Sequence, residues 1–136
     1  MDSRFEDVLR ASAFMRFVPA EHYARLRDSF TTEHFEFGEL IVRQGDAADA
    51  FFVLVNGRAR VLKRAAGDGE LALNRLLPGD EFGEGALLGG GVRAASVRAS
   101  TSVDVLRLAR DRFAALATEF PALRNALELL SRWRTL

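Results

Sequence analysis

The sequence contains no cysteine, so disulfides, thiolate metal sites and cysteine nucleophiles are excluded together. This suits a reducing compartment, and a cytoplasmic location is the expectation. Histidine is scarce as well. His22 and His34 lie twelve positions apart in different predicted elements, with no His-x-His or His-x-x-x-His spacing. A metal enzyme built on a small barrel draws several His and carboxylate ligands onto neighbouring strands, so no metal site is expected. Net charge is absent too, because nineteen basic and nineteen acidic side chains cancel to zero. That removes the basic footprint of a nucleic-acid or anionic-membrane binder. No apolar run approaches the roughly 20 residues of a membrane span, and Met1-Asp2-Ser3-Arg4 leads into no signal-peptide core. Lysine is reduced to Lys63, with eighteen arginines carrying the rest of the basic charge. That skew reads as codon usage before it reads as a phosphate-binding surface.

What is present is the composition of a folded core: 49% apolar and 28% charged residues in a chain of 136, about the size of one domain. Phe5, Val8, Leu9, Phe14 and Phe17 recur at helical spacing, and Pro19 opens a second short segment with Tyr23, Leu26 and Phe30. N-terminal helices are therefore expected over about residues 3–30. From about residue 34 to 108 the texture becomes β, with runs at His34–Phe37, Leu40–Arg43, Phe51–Val55, Arg58–Arg64, Glu70–Leu77, Arg93–Ala99 and Val103–Leu108. Glycine-rich breaks separate these runs, and Asn56-Gly57 carries the signature of a type I′ hairpin. Helical period returns over about 110–120 and 121–134, with Leu123, Leu127, Leu130 and Trp133 on one face of the last helix. The predicted architecture is mainly β: a jelly-roll-like antiparallel β-barrel with N-terminal helices and two C-terminal helices, in a single domain over 1–136.

Catalytic constellations are missing. Ser96, Ser100 and Ser102 have no histidine nearby and no Gly-x-Ser-x-Gly elbow, and Asp80-Glu81 flanks a turn where both carboxylates would be solvated. The segment that stands out runs from Phe82 to Val97. It breaks the β pattern with glycines and then places Arg93 on an otherwise apolar strand. A short helical turn from Gly83 to Leu88 would aim free N–H groups outward, an anion-binding arrangement. Arg93 would add a planar fork for two phosphate oxygens. Glu84 would repel phosphate and suits a donor such as a sugar hydroxyl. The local pattern allows a site for a phosphate and a hydroxyl-bearing ring, or equally an ion pair between Glu84 and Arg93 over a loop.

Here the sequence resembles the cyclic nucleotide-binding domain family, whose phosphate-binding cassette reads Phe-Gly-Glu-x-Ala-Leu, a short loop, then Arg-Ala-Ala-Thr/Ser-Val. Phe82 to Val97 matches without a gap, Val42–Val61 resembles the family's second signature, and Leu77-Pro78-Gly79-Asp80 is also typical. The resemblance spans roughly residues 5 to 133. It implies that Arg93 pairs with the cyclic phosphate and Glu84 accepts from the ribose 2′-OH. It further implies that the Gly83 backbone helps hold the ribose, that Ala86 and Ala94 offer N–H groups to phosphate oxygens, and that Val61 and Leu73 pack against the base. Family members preferring cGMP often carry threonine at the position of Ala94, so the resemblance implies cAMP, with cGMP second. Gly85 stands where the family has a bulky apolar residue, and Gly89-Gly90-Gly91-Val92 replaces a loop that commonly ends in proline. A glycine-loosened cassette is expected to order on binding.

The resulting expectation is a non-catalytic sensor whose ligand is a cyclic nucleotide and whose C-terminal helices relay binding to an attached or separate effector. The last helix is also a candidate homodimer seam, and Trp133 its natural fluorescent reporter. Two rivals are an interaction module that kept the fold without the ligand and, more remotely, a small β-barrel enzyme. No helix-turn-helix follows the last predicted helix before Leu136, so DNA binding by this stretch is not expected.

Overall fold

The structure, a computed structural model, describes residues 1–64, 67, 69–89 and 91–133, with side chains throughout except at Ala13 and 130–133. Leu130 and Trp133 thus have side chains outside the described residues. The chain begins with α1 (Ser3–Ala11), α2 (Ala13–Phe17), a 3-10 turn (Ala20–His22) and α3 (Tyr23–Ser29). Strands β1 (Phe30–Phe35), β2 (Leu40–Val42), β3 (Ala50–Asn56), β4 (Ala59–Arg64), β5 (Glu70–Leu76) and β6 (Glu81–Phe82) follow. Next come α4 (Glu84–Leu88), β7 (Ser96–Ala99), β8 (Val103–Ala109), α5 (Arg110–Glu119) and α6 (Pro121–Trp133).

The strands form two four-stranded sheets in the orders β1-β8-β3-β6 and β2-β7-β4-β5, paired antiparallel throughout. Mainly antiparallel β with flanking helices is therefore what the chain builds. The first sheet is the middle layer. Alternate side chains of β3 divide between its faces: Phe51, Val53 and Val55 join the helical layer, while Ala50, Phe52 and Leu54 meet the second sheet. Burial on both sides explains why Ala50–Val55 reads as an unbroken apolar run rather than an alternation. On the helical side Phe14 is fully buried, with Phe51 and Phe30 ring centroids 4.8 and 5.8 Å away. Leu123 and Leu127 of α6 close the same cluster.

Three local readings change. The N-terminal helical pattern is split at Ser12, whose hydroxyl and N–H both donate to the Leu9 carbonyl at 2.6 and 3.1 Å, leaving Ser12 extended. Phe30 starts β1 opposite Leu108 rather than ending a helix. Asn56-Gly57 joins no hairpin, because β3 and β4 lie in different sheets. Only glycines have positive φ among the described residues, so Asn56 cannot supply a type I′ turn. Gly57 (φ +84°) is needed because a Cβ there would strike the Ser102 carbonyl oxygen. The chain crosses between sheets at this point with no room for a side chain. Among the described residues, no helix is long and apolar enough to cross a membrane.

A polar chain ties α1 to the end of the first sheet. Arg4 Nη1 donates to Asn56 Oδ1 at 2.7 Å, and Asn56 Nδ2 to Asp104 Oδ2 at 2.9 Å. His34 sits between Asp104 Oδ1 (2.8 Å from Nδ1) and Glu36 Oε1 (2.9 Å from Nε2). Hydrogen bonding to Asp104, then to Glu36, raises the His34 pKa above its ordinary 6.5. A raised folded-state pKa adds stability that is fully present below the unfolded value and is lost as pH rises through the folded value. His34→Gln is therefore predicted to lower Tm relative to the unsubstituted protein most at pH ~6, with the deficit shrinking toward pH ~8.5. A deficit independent of pH in thermal melts would contradict the paired-imidazolium reading.

Candidate functional site

β6 is followed by Gly83, which adopts a left-handed conformation (φ +94°, ψ −6°) and caps the start of α4. A side chain there is excluded twice. The φ disfavours L residues, and a Cβ would lie 2.8 Å from Arg93 Nη1 and 3.1 Å from the Ala50 carbonyl oxygen. The approach is close because the guanidinium is clamped. Arg93 Nη1 donates to the Gly83 carbonyl at 3.0 Å and Nη2 to the Ala50 carbonyl at 2.6 Å. Arg93 is 4% exposed. Its backbone is fixed as firmly, since Arg93 N–H donates to the Asp46 carbonyl and the Gly45 N–H to the Arg93 carbonyl, both at 2.9 Å. Arg93 therefore lies in a loop pinned to residues 45–48, not on the apolar strand expected from sequence; β7 begins at Ser96.

Arg93 donates to two neutral carbonyls, and a carboxylate oxygen of Asp49, which is 72% exposed, lies 3.7 Å from its Nη2. Asp49 also reaches Arg107 Nη2 at 3.4 Å, and Arg107 Nε lies 3.3 Å from Glu33. Burial lowers the Arg93 pKa, and the charges of Asp49 and Glu84 oppose that loss while Arg107 adds to it. A guanidinium keeps its proton regardless, so the buried group remains a cation. Its plane also lies 5.9 Å from the Phe52 ring centre, within cation–π range. Phe52 in turn stacks on Phe82 at 5.1 Å.

Beside this cation is a small pocket, lined in part by Gly83, Ala86, Arg93, Ala94 and Val61. Five of the seven residues expected from sequence thus line one cavity. A sixth, Glu84, is buried at the start of α4 and close enough for its charge to act on Arg93. Leu73 is outside the lining and 37% exposed. The cause is an irregularity in the ladder: Val61 pairs with Asn74 but Leu62 with Ala72, so Leu73 is the extra residue of a β-bulge. The apolar wall is instead a register row, Val42 opposite Val97 and Val97 opposite Val61. Val42 and Val97 were not singled out from sequence, although the inward alternation of β7 could have marked Val97.

The family model described as the cyclic nucleotide-binding domain matches residues 32–120. The cAMP-dependent protein kinase regulatory subunit of Emericella nidulans is 36% identical over 97% of this chain and 33% of its own length. A cGMP-dependent protein kinase of Caenorhabditis briggsae is 37% identical over 77% of this chain and 14% of its own. Among solved structures, the Toxoplasma gondii PKA regulatory domain crystallised with cAMP superposes with a TM-score of 0.87 at 28% identity. That alignment covers 97% of this chain and 50% of the other. The chain thus spans a third or less of these two kinase relatives.

Gly79 provides an internal control for Gly83, because its φ is +95° but a Cβ there meets open space. Gly79→Ala is expected to cost about 1–2 kcal/mol of backbone strain alone. Gly83→Ala should cost that plus the displacement of Arg93, so its Tm should fall at least a further ~3 °C. Equal melting temperatures for the two variants would mean that the clamp has no role in stability.

Proposed function

The chain belongs to the cyclic nucleotide-binding domain family, and from that membership we propose that it is a non-catalytic sensor, acting in the cytoplasm, that binds cAMP in preference to cGMP. The observation that carries this reading is Arg93, a buried cation clamped by two backbone carbonyls at the wall of a small apolar pocket. Arg93 would pair with the cyclic phosphate, assisted by the N–H groups of Ala86 and Ala94. First-turn N–H groups of any helix lack intrahelical acceptors, which leaves that of Ala86 available for this role. Glu84 and the Gly83 backbone would take the ribose, and the Val42–Val97–Val61 row would face the base. Ala94 brings no hydroxyl to a guanine amino group, which supports the cAMP preference.

Relay would run through α4. Leu87 and Leu88 pack against the helical core cluster that contains Leu123 and Leu127, and α4 packs on α6. A shift of the cassette turn on binding would therefore press on α6, and a ligand moves that balance only by its differential affinity for the two positions. The effector read by α6, attached or separate, belongs to the same proposal, as does a dimer seam along α6, where Leu129 is 55% exposed.

Calorimetric titration of nucleotide-free protein should show saturable cAMP binding, with cGMP weaker by about tenfold or less, the worth of one hydrogen bond. Arg93→Ala should weaken cAMP by at least about thirtyfold, because it removes one member of a buried charge pair. The substitution also strips donors from the Gly83 and Ala50 carbonyls, so Tm should fall with it. Arg93→Lys, which keeps the charge without the fork, should bind with intermediate affinity. No binding of either nucleotide would select the ligand-free interaction module instead. Amide exchange gives a separate check on the relay: saturating cAMP should slow exchange over residues 123–128 of α6, and unchanged exchange in a bound protein would make α6 a passive strut.

A further inference from the structure

The second sheet has one face toward the pocket and the other toward solvent. On the outer face Arg98, Arg60 and Arg75 stand directly opposite one another on β7, β4 and β5. Two strand spacings of ~4.8 Å put the three within about 10 Å. Like charges directly opposed across strands destabilise a sheet. Among the described residues, Arg60 and Arg75 form no ion pair, and Arg98 Nη1 has a carboxylate oxygen of Glu70 at 3.7 Å. Two hollows open on this face. One is lined by Arg43, Arg64 and Arg98 with Ser96 and Glu70. The other is lined by Arg58, Arg60 and Arg75 with Ser100 and no carboxylate. Acidic side chains such as Glu33, Asp49 and Asp104 are engaged by arginine or histidine on the first sheet and its loops. Zero net charge is thus compatible with a local cluster of arginines on this face.

We propose that this arginine face is a docking surface for an acidic segment of polypeptide. A row of guanidinium forks matches carboxylates bidentately. Apolar side chains are interleaved with it: Leu40 lines the first hollow and Leu77, 50% exposed, lines the second. No aromatic ring lines either hollow, so a nucleic acid would find no base-stacking platform. A chain of zero net charge also lacks the long-range pull that gathers an extended polyanion. A short segment of glutamates and leucines fits both the charge and the apolar content.

The test is fluorescence anisotropy with the full chain and a fluorescein-labelled peptide of about a dozen residues, mostly glutamate with interspersed leucine, at low salt where exposed charges are least screened. Saturable binding is expected, weakening about tenfold or more when salt is raised from ~20 to ~200 mM. The Arg60→Gln/Arg75→Gln double variant should lose about tenfold in peptide affinity while its cAMP titration is unchanged and its Tm is equal or higher, since cross-strand repulsion is relieved. Arg16→Gln/Arg112→Gln, away from this face, should bind the peptide normally. Unchanged peptide affinity in the Arg60/Arg75 variant would overturn the proposal. Tighter binding of an oligonucleotide of equal charge, or of phosphatidylserine vesicles, through the same two arginines would overturn the choice of a polypeptide partner.

Discussion

A guanidinium taken out of water and held by two backbone carbonyls sets the terms for everything around it. Arg93 donates to Gly83, which starts the cassette turn, and to Ala50 at the start of β3 in the first sheet. Neutral acceptors satisfy donors without cancelling charge. The clamp therefore orients the cation without itself neutralising it, the preorganisation that an anion site needs. The cost appears in the surrounding chain. Gly83 must lack a side chain, Ala50 must be small and buried, and residues 45–48 must run beside Arg93 to fix its backbone.

The same clamp explains why the site can respond to a ligand. β3 and β8 are buried on both faces and form the rigid middle layer. α4 is a single short turn between glycines, with Gly85 inside it. Glycine lowers the cost of rearranging that turn, whereas rearranging the sheets would break two cores at once. Leu87 and Leu88 carry any motion of α4 into the helical layer, where Leu123 and Leu127 of α6 are packed. In the proposed mechanism binding and relay share one small element, and the sheets serve as the frame against which it would move.

The cassette was legible in the sequence because its features are local. A left-handed glycine, a short turn and an arginine follow one another over a dozen residues, and their geometry depends little on distant packing. The apolar wall was only half legible. Val61 lies in the pocket wall, but Leu73 is the extra residue of a bulge that no residue pattern marks. Asn56-Gly57 misled for a related reason. Alternation within a strand tells which side chains share a face, but not which sheet the strand joins, and here the chain changes sheet at the turn. The spacing of Phe30 from Leu26 suits a helix; its pairing with Leu108, far along the chain, decides otherwise.

The account stands or falls on where the phosphate goes. A crystal structure of the protein with cAMP tests this most directly. Arg93 nitrogens should lie about 2.7–2.9 Å from phosphate oxygens, the range of charge-assisted bonds. The Gly83 and Ala50 carbonyls should still hold the guanidinium, and Glu84 should face the ribose. Nucleotide bound elsewhere, or in this pocket with its phosphate turned away from Arg93, would contradict it.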